Sequence, residues 1–187
     1  MIAVHARYRG REKRRADVVR RSAEALSTLP GVGTLDIVGV EDIRAHVDGA
    51  EAALNLIMAL LSDGSWAVGL GITREGSALY AASEAVGNRP ATVSVKVQTA
   101  QPGTDAEDIA AALALLGHVL HKRTIEGREA TSLLRSGYNQ NEAAAELGIS
   151  KQAMSQRLQA AGWKAELAGW RLVLNLITRA AAAEPTG

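Results

Sequence analysis

Apolar positions repeat with two different periods along the chain, and the change of period divides it. "IAV" at 2–4 reads as a short strand. "ADVVRRSAEALSTL" at 16–29 sets Val18, Val19, Ala23, Leu26 and Leu29 at helical spacing and stops at Pro30-Gly31. "TLDIVGV" (34–40) and "DIRAHV" (42–47) alternate apolar with polar residues, and Gly39 between them predicts a tight hairpin. An amphipathic helix follows over 49–64, ended by Gly64. "SWAVGLGI" predicts a buried strand, "GSALYAASEAVG" a helix, and "ATVSVKV", with Val93, Val95 and Val97 alternating, a last strand. The order β-α-β-β-α-β-α-β predicts helices packed on one face of a mostly antiparallel sheet.

"QTAQPGTDAED" breaks this pattern: Pro102-Gly103 reads as a linker, and Thr104 with Glu107 as a capping box. Beyond it every period is helical, over roughly 105–122, 126–136, 140–147, 151–161 and 165–183. The expectation is therefore an α+β domain over 1–101 and an all-α domain over 102–187.

Within the second part, "NQNEAAAELGISKQAMSQRLQAAGW" (139–163) has the parts of a helix-turn-helix. Ala143, Ala144 and Ala145 permit close helix approach, Gly148 supplies a turn residue tolerant of positive φ, and Ser150 is a good N-cap. Met154 and Leu158 face inward with Ile149 and Leu147, and Leu133 and Leu134 come from the preceding helix. Lys151, Gln152, Ser155, Gln156 and Arg157 remain outside with no acid among them, as contact with a polyanion requires. Gln pairs with adenine edges, and Lys and Arg reach phosphate or guanine. With Asn139, Gln140 and Ser150 these residues form the expected DNA-binding set. A solvated helix in a three-helix core is the plain alternative. The same stretch resembles the helix-turn-helix of bacterial regulators and of sigma-factor region 4, through its small residues, "LGIS" and "SxRL".

Composition narrows the choice. The chain has 187 residues, 47% of them apolar, and a net charge of +1. The near-neutral total hides an asymmetry: residues 1–21 carry eight Lys/Arg against two acids, and residues 22–104 carry four against nine. The basic cluster Arg7, Arg9, Arg11, Lys13, Arg14 and Arg15 fits nucleotide phosphates, an extended DNA contact, or a solvated loop and helix start. Cysteine is absent, excluding disulfides and thiolate metal sites. No apolar leader is present, and "LNLIMALL" at 54–61 is too short to span a bilayer, so a cytoplasmic protein is expected. Gly69 and Gly71 lack a phosphate-loop context and instead predict close backbone approach. Of the four histidines, His118 and His121 are paired without further ligands; neither a metal nor a cofactor is expected.

"WAVGLGI" (66–72), "EGSALYAASEAV" (75–86), "LDIVGVEDIRAHVDGAEAAL" (35–54) and, loosely, "RGREKRR" are similar in order to segments of the SatD family. That family joins a domain like the class III nucleotidyl cyclases to a C-terminal helix-turn-helix. The resemblance implies a ferredoxin/cyclase-like sheet domain, and the departures imply lost catalysis. His5 and Ala6 stand where the first strand would end in a carboxylate, Val40 replaces an Asp after Gly39, and Ser77 and Ser83 replace a Pro and an Arg. Glu41 and Asp42 remain, a single pair in place of a two-metal clamp.

The reading is a DNA-binding transcriptional regulator, not an enzyme. Its first domain serves dimerisation or the sensing of a nucleotide-type ligand; a nucleotide sensor or residual cyclase-like enzyme is the alternative, and a protein-interaction module a third. The last helix, with Leu167, Trp170, Val173, Leu174 and Ile177 on one stripe, is expected to cap the helix-turn-helix or to pair with its copy in a homodimer.

Overall fold

The computed structural model describes residues 1–98 and 103–182. Its first half follows the expected order: β1 (Ile2–Tyr8), α1 (Arg15–Leu26), β2 (Asp36–Val38), β3 (Asp42–Val47), α2 (Gly49–Asp63), β4 (Trp66–Thr73), α3 (Ala78–Ala85) and β5 (Thr92–Gln98). The second half is helical: α4 (Asp105–His121), α5 (Ile125–Arg135), α6 (Gln140–Glu146), α7 (Lys151–Ala160) and α8 (Trp163–Ala182). The protein is therefore α+β, with a five-stranded mixed sheet in the order β2-β3-β1-β4-β5. β1 pairs antiparallel with β3 and β4, β2 antiparallel with β3, and β5 parallel with β4. The parallel pair is possible because α3 supplies the crossover between β4 and β5.

β1 is longer than the apolar run that predicts it. Ile2, Val4, Ala6 and Tyr8 face the main core, while Ala3, His5 and Arg7 face the other side. Pairing on both edges makes this a strand despite the polar residues. Helices cover both faces of the sheet, not one. α1 and α2 lie on the Val4 side, whereas α3 packs Ala78 and Ala82 against Ala3 on the reverse. The reason is in β4: a Cβ on Gly69 would lie 2.2 Å from the Ala82 carbonyl oxygen, and one on Gly71 2.3 Å from that of Ala78. Only glycine lets the α3 backbone come this close, as the sequence leads one to expect.

Apolar packing crosses the expected boundary near residue 102. Ile109, Leu113, Leu116 and Leu120 of α4 and Val173, Ile177 and Ala180 of α8 share one buried cluster with the sheet, α1 and α2. A separate cluster holds Ala130, Ala143, Ala144, Met154 and Leu158, with Leu133, Leu134, Leu147, Ile149 and Trp163 around it. α8 serves both clusters, Trp163 in the second and Val173 onward in the first. Its buried stripe runs Glu166, Val173, Ile177, Ala180 beside half-buried Trp170, and Leu167 falls outside it at 49% exposed. Thr104 does not form the expected capping box: its hydroxyl donates to Asp108 Oδ2 at 3.1 Å. Pro102 lies outside the described residues.

Candidate nucleic-acid interface

α5, α6 and α7 build the second cluster, and local chemistry fixes each end. Thr124 accepts from Gly127 N at the start of α5. Asn139 and Glu142 form a reciprocal capping box on α6: the Asn139 side chain accepts from Asn141 N and Glu142 N, and Glu142 accepts from Asn139 N at 2.8 Å. Gly148 turns the chain with φ 62°, and Ser150 caps α7 by accepting from Ala153 N at 3.1 Å. Met154 and Leu158 are buried beneath α7. Buried Ala143 and Ala144, the Gly148 turn, the Ser150 cap and the inward pair thus each sit where the sequence places them.

With that face buried, Lys151, Gln152, Ser155 and Gln156 are all exposed, and α7 carries no carboxylate. Arg157 is half-buried and close enough to Glu126 to help hold that carboxyl below its usual range, behind the larger effects of Glu126's own backbone and the Thr124 hydroxyl. Gln140 is exposed at the start of α6. The oxygens of Asn139 and Ser150 are spent on capping, so these two residues reach a partner only with their remaining groups. A groove of about 490 Å³ continues the polar surface past α7 through Gln140, Ser155, Gln159 and Lys164. Gln159 and Lys164 extend the acid-free pattern by one turn beyond the residues that the sequence singles out.

A buried ion cluster holds this three-helix unit to the rest. Arg123, 7% exposed, donates through Nε to the Ala161 carbonyl at 2.8 Å and through Nη2 to Glu166, itself 4% exposed. Arg135 binds the same carboxylate through Nε at 2.9 Å and Nη2 at 3.0 Å, and its guanidinium lies 5.9 Å from the Trp163 ring. Sequence reasoning misses this cluster because Glu166 lies 43 residues from Arg123 and 31 from Arg135 in the chain.

The basic N-terminal set divides in two. Arg7 grips Asp42 with Nε at 2.9 Å from Oδ1 and Nη2 at 2.9 Å from Oδ2. Arg9 and Arg15 both bind Glu41, and Arg7 and Arg9 reach Asn88 Oδ1 at 3.3 and 3.2 Å. Burial pushes the Asp42 carboxyl up, but Arg7 and then His5 outweigh it and hold it below the usual range. Buried His5 shares a 2.8 Å hydrogen bond between Nδ1 and Ser83 Oγ. Its Nε2 is 3.2 Å from Asp42 Oδ2 without the alignment of a hydrogen bond, a contact that becomes an ion pair only when the ring is protonated. Burial lowers the His5 pKa, Asp42 opposes that, and Arg7 and Arg44 add to it. The remaining cations, Arg11, Lys13 and Arg14, line an open groove of about 750 Å³ with Arg20 and Arg21, in which Asp17 pairs with Arg14 and Arg20. Among the described residues no group of three or more His, Asp and Glu is placed to hold a metal. No helix of the described residues is long and apolar enough to cross a membrane.

No family model, curated protein or solved structure matches the chain.

Proposed function

We propose that the protein is a sequence-specific DNA-binding regulator that reads the major groove with α7. One observation carries the reading: α7 buries Met154 and Leu158 and leaves Lys151, Gln152, Ser155 and Gln156 exposed with no acid on the helix. A capped helix of that composition, set after a positive-φ glycine turn, has the form and chemistry of a recognition helix. Asn139, Gln140 and Ser150 flank it and, with Arg157 on α7 itself, contact the phosphate backbone. The protein acts as a homodimer in the cytoplasm, because two heads about 34–36 Å apart match half-sites one helical turn apart.

We read the sheet half as SatD-like. Its β2-β3-β1-β4 order and β-α-β-β-α-β connectivity, extended by α3 and β5, support a ferredoxin-like reading. Its residues do not fit the two metal ions of cyclase chemistry, since Arg7, Arg9 and Arg15 already neutralise Asp42 and Glu41. We therefore assign this half no catalysis and give it the roles of dimerisation and positioning. A second reading, a nucleotide sensor, is favoured by the open groove of Arg11, Lys13, Arg14, Arg20 and Arg21.

Selection of duplexes from a random pool by the full-length protein at physiological salt tests the first reading. An enriched motif is expected; retention of no duplex above a mixed-sequence control overturns it. Nucleotide-dependent stabilisation that is lost on replacing Arg11 and Lys13 would support the second.

A further inference from the structure

Where the three-helix unit meets the main body, a cleft of about 280 Å³ opens between the end of α2, the end of α4 and one face of α5. Its floor is Arg123 and Thr131, both buried, and its rim carries Arg128, Ser132 and Arg135 with Ser62 opposite. Arg128, Thr131, Ser132 and Arg135 share one face of α5 through i, i+3, i+4 and i+7 spacing.

Three guanidiniums thus converge on one small space. Glu166 answers Arg123 and Arg135 from behind. Asp63, the acid on the rim, already accepts from Ser65 N at 3.0 Å. Arg128 donates to the Ser62 carbonyl at 3.2 Å and has further donors to offer. The gathering is unfavourable in itself: burial first, with Arg135 and Arg128 adding to it, disfavours the charged form of Arg123. Glu166 explains why Arg123 and Arg135 are there. It does not reach Arg128, which holds the Ser62 carbonyl and keeps further donors, nor Ser62 and Ser132, which line the same opening; the Thr131 hydroxyl is spent on the Gly127 carbonyl at 3.0 Å.

We propose that this cleft binds a small phosphate-type oxyanion, such as the phosphate of a phosphomonoester, between Arg128, Arg135 and the Ser62 and Ser132 hydroxyls. Guanidinium forks and hydroxyl donors match a tetrahedral oxyanion, and they hold it more firmly than point charges do. The volume is near the lower end of small-molecule sites, roughly 300–1,000 Å³, which leaves room for the phosphate and a short organic remainder. The ligand would tie α5, in the second cluster, to α2 and α4, in the first. Binding itself does not depend on the DNA reading; any effect on DNA does.

The test is calorimetric titration of the full-length protein with inorganic phosphate and with glycerol 3-phosphate, against chloride at matched ionic strength. Saturable binding is expected, weakened about tenfold or more in Arg128→Gln. Arg128 is exposed, so the variant should keep the wild-type circular dichroism and urea midpoint. Tighter binding of glycerol 3-phosphate identifies an organic ester as the ligand, and equal binding identifies phosphate alone. Heats no larger than those of chloride overturn the proposal. So does binding that survives Arg128→Gln but is lost on replacing Arg11 and Lys13 by Gln. Selection of duplexes by the unaltered protein separates the two failures: an enriched motif from a protein that shows no phosphate binding sinks this site and leaves the regulator standing, and phosphate binding without an enriched motif sinks the regulator alone.

Discussion

Gln152 and Gln156 differ from Lys151 in what they contribute to a groove, although all three are exposed. A glutamine amide pairs with one base edge, so Gln152→Ala and Gln156→Ala should each cost about 1–3 kcal/mol on a selected site and little on random DNA. Lysine meets phosphate, so Lys151→Ala should weaken all sequences alike and reduce the salt slope by about one unit. Equal losses on both kinds of DNA for all three variants, measured by fluorescence anisotropy, would rule out base readout. A second residue-scale prediction concerns His5. The fold favours its neutral form, so below its ordinary pKa of about 6.5 the unfolded chain takes up the proton and the native state does not. Stability from this group is present above that pH and is lost as pH falls. The urea midpoint should drop more between pH 7.5 and 5.5 in the wild type than in His5→Gln, and parallel drops would contradict the assignment.

At the scale of elements, the question is how the three-helix unit stays attached. Its own apolar cluster is small, and the Arg123–Glu166–Arg135 cluster joins it to the end of α4 and the start of α8. Removing the shared carboxylate leaves Arg123 buried and unpaired, a loss of about 3–5 kcal/mol in urea unfolding of Glu166→Ala. Arg135 is partly exposed, with 40% of its side chain open, so Arg135→Ala should cost no more than about 1 kcal/mol. Similar costs for the two would mean that the buried arginine finds another partner. The link between the two clusters was poorly legible in sequence for a physical reason. The 3.6-residue period marks α8 correctly, but it assigns Leu167 to the core and gives no sign that Glu166 is buried, because periodicity cannot foresee an ion pair formed across the fold. β1 was cut short for the same kind of reason, since His5 and Arg7 are paired by residues far along the chain.

For the whole molecule, the decisive feature is that α4 and α8 complete the core of the sheet half. Trp170 Nε1 donates to Asn55 Oδ1 at 3.2 Å, and Leu113, Leu116, Val173 and Ile177 are no more than 2% exposed. Each such side chain contributes roughly 1.5–3 kcal/mol by burial, and domains have only about 5–15 kcal/mol of net stability. A chain ending at residue 101 should therefore unfold without a cooperative urea transition and bind a hydrophobic dye. A sharp transition in that fragment would show that the sheet half stands alone. By itself the sequence determined the elements whose signals are local: the strand and helix order to β5, the Gly64 stop, the Gly148 turn, the Ser150 cap and the inward Met154–Leu158 pair. These follow from dihedral preference and periodicity within a few residues. Tertiary structure alone decided that α3 covers the reverse of the sheet, that Arg7 and Arg9 close over Asp42 and Glu41, and that α4 and α8 join the first core. Each depends on which distant surfaces meet, and neither spacing nor composition encodes that locally.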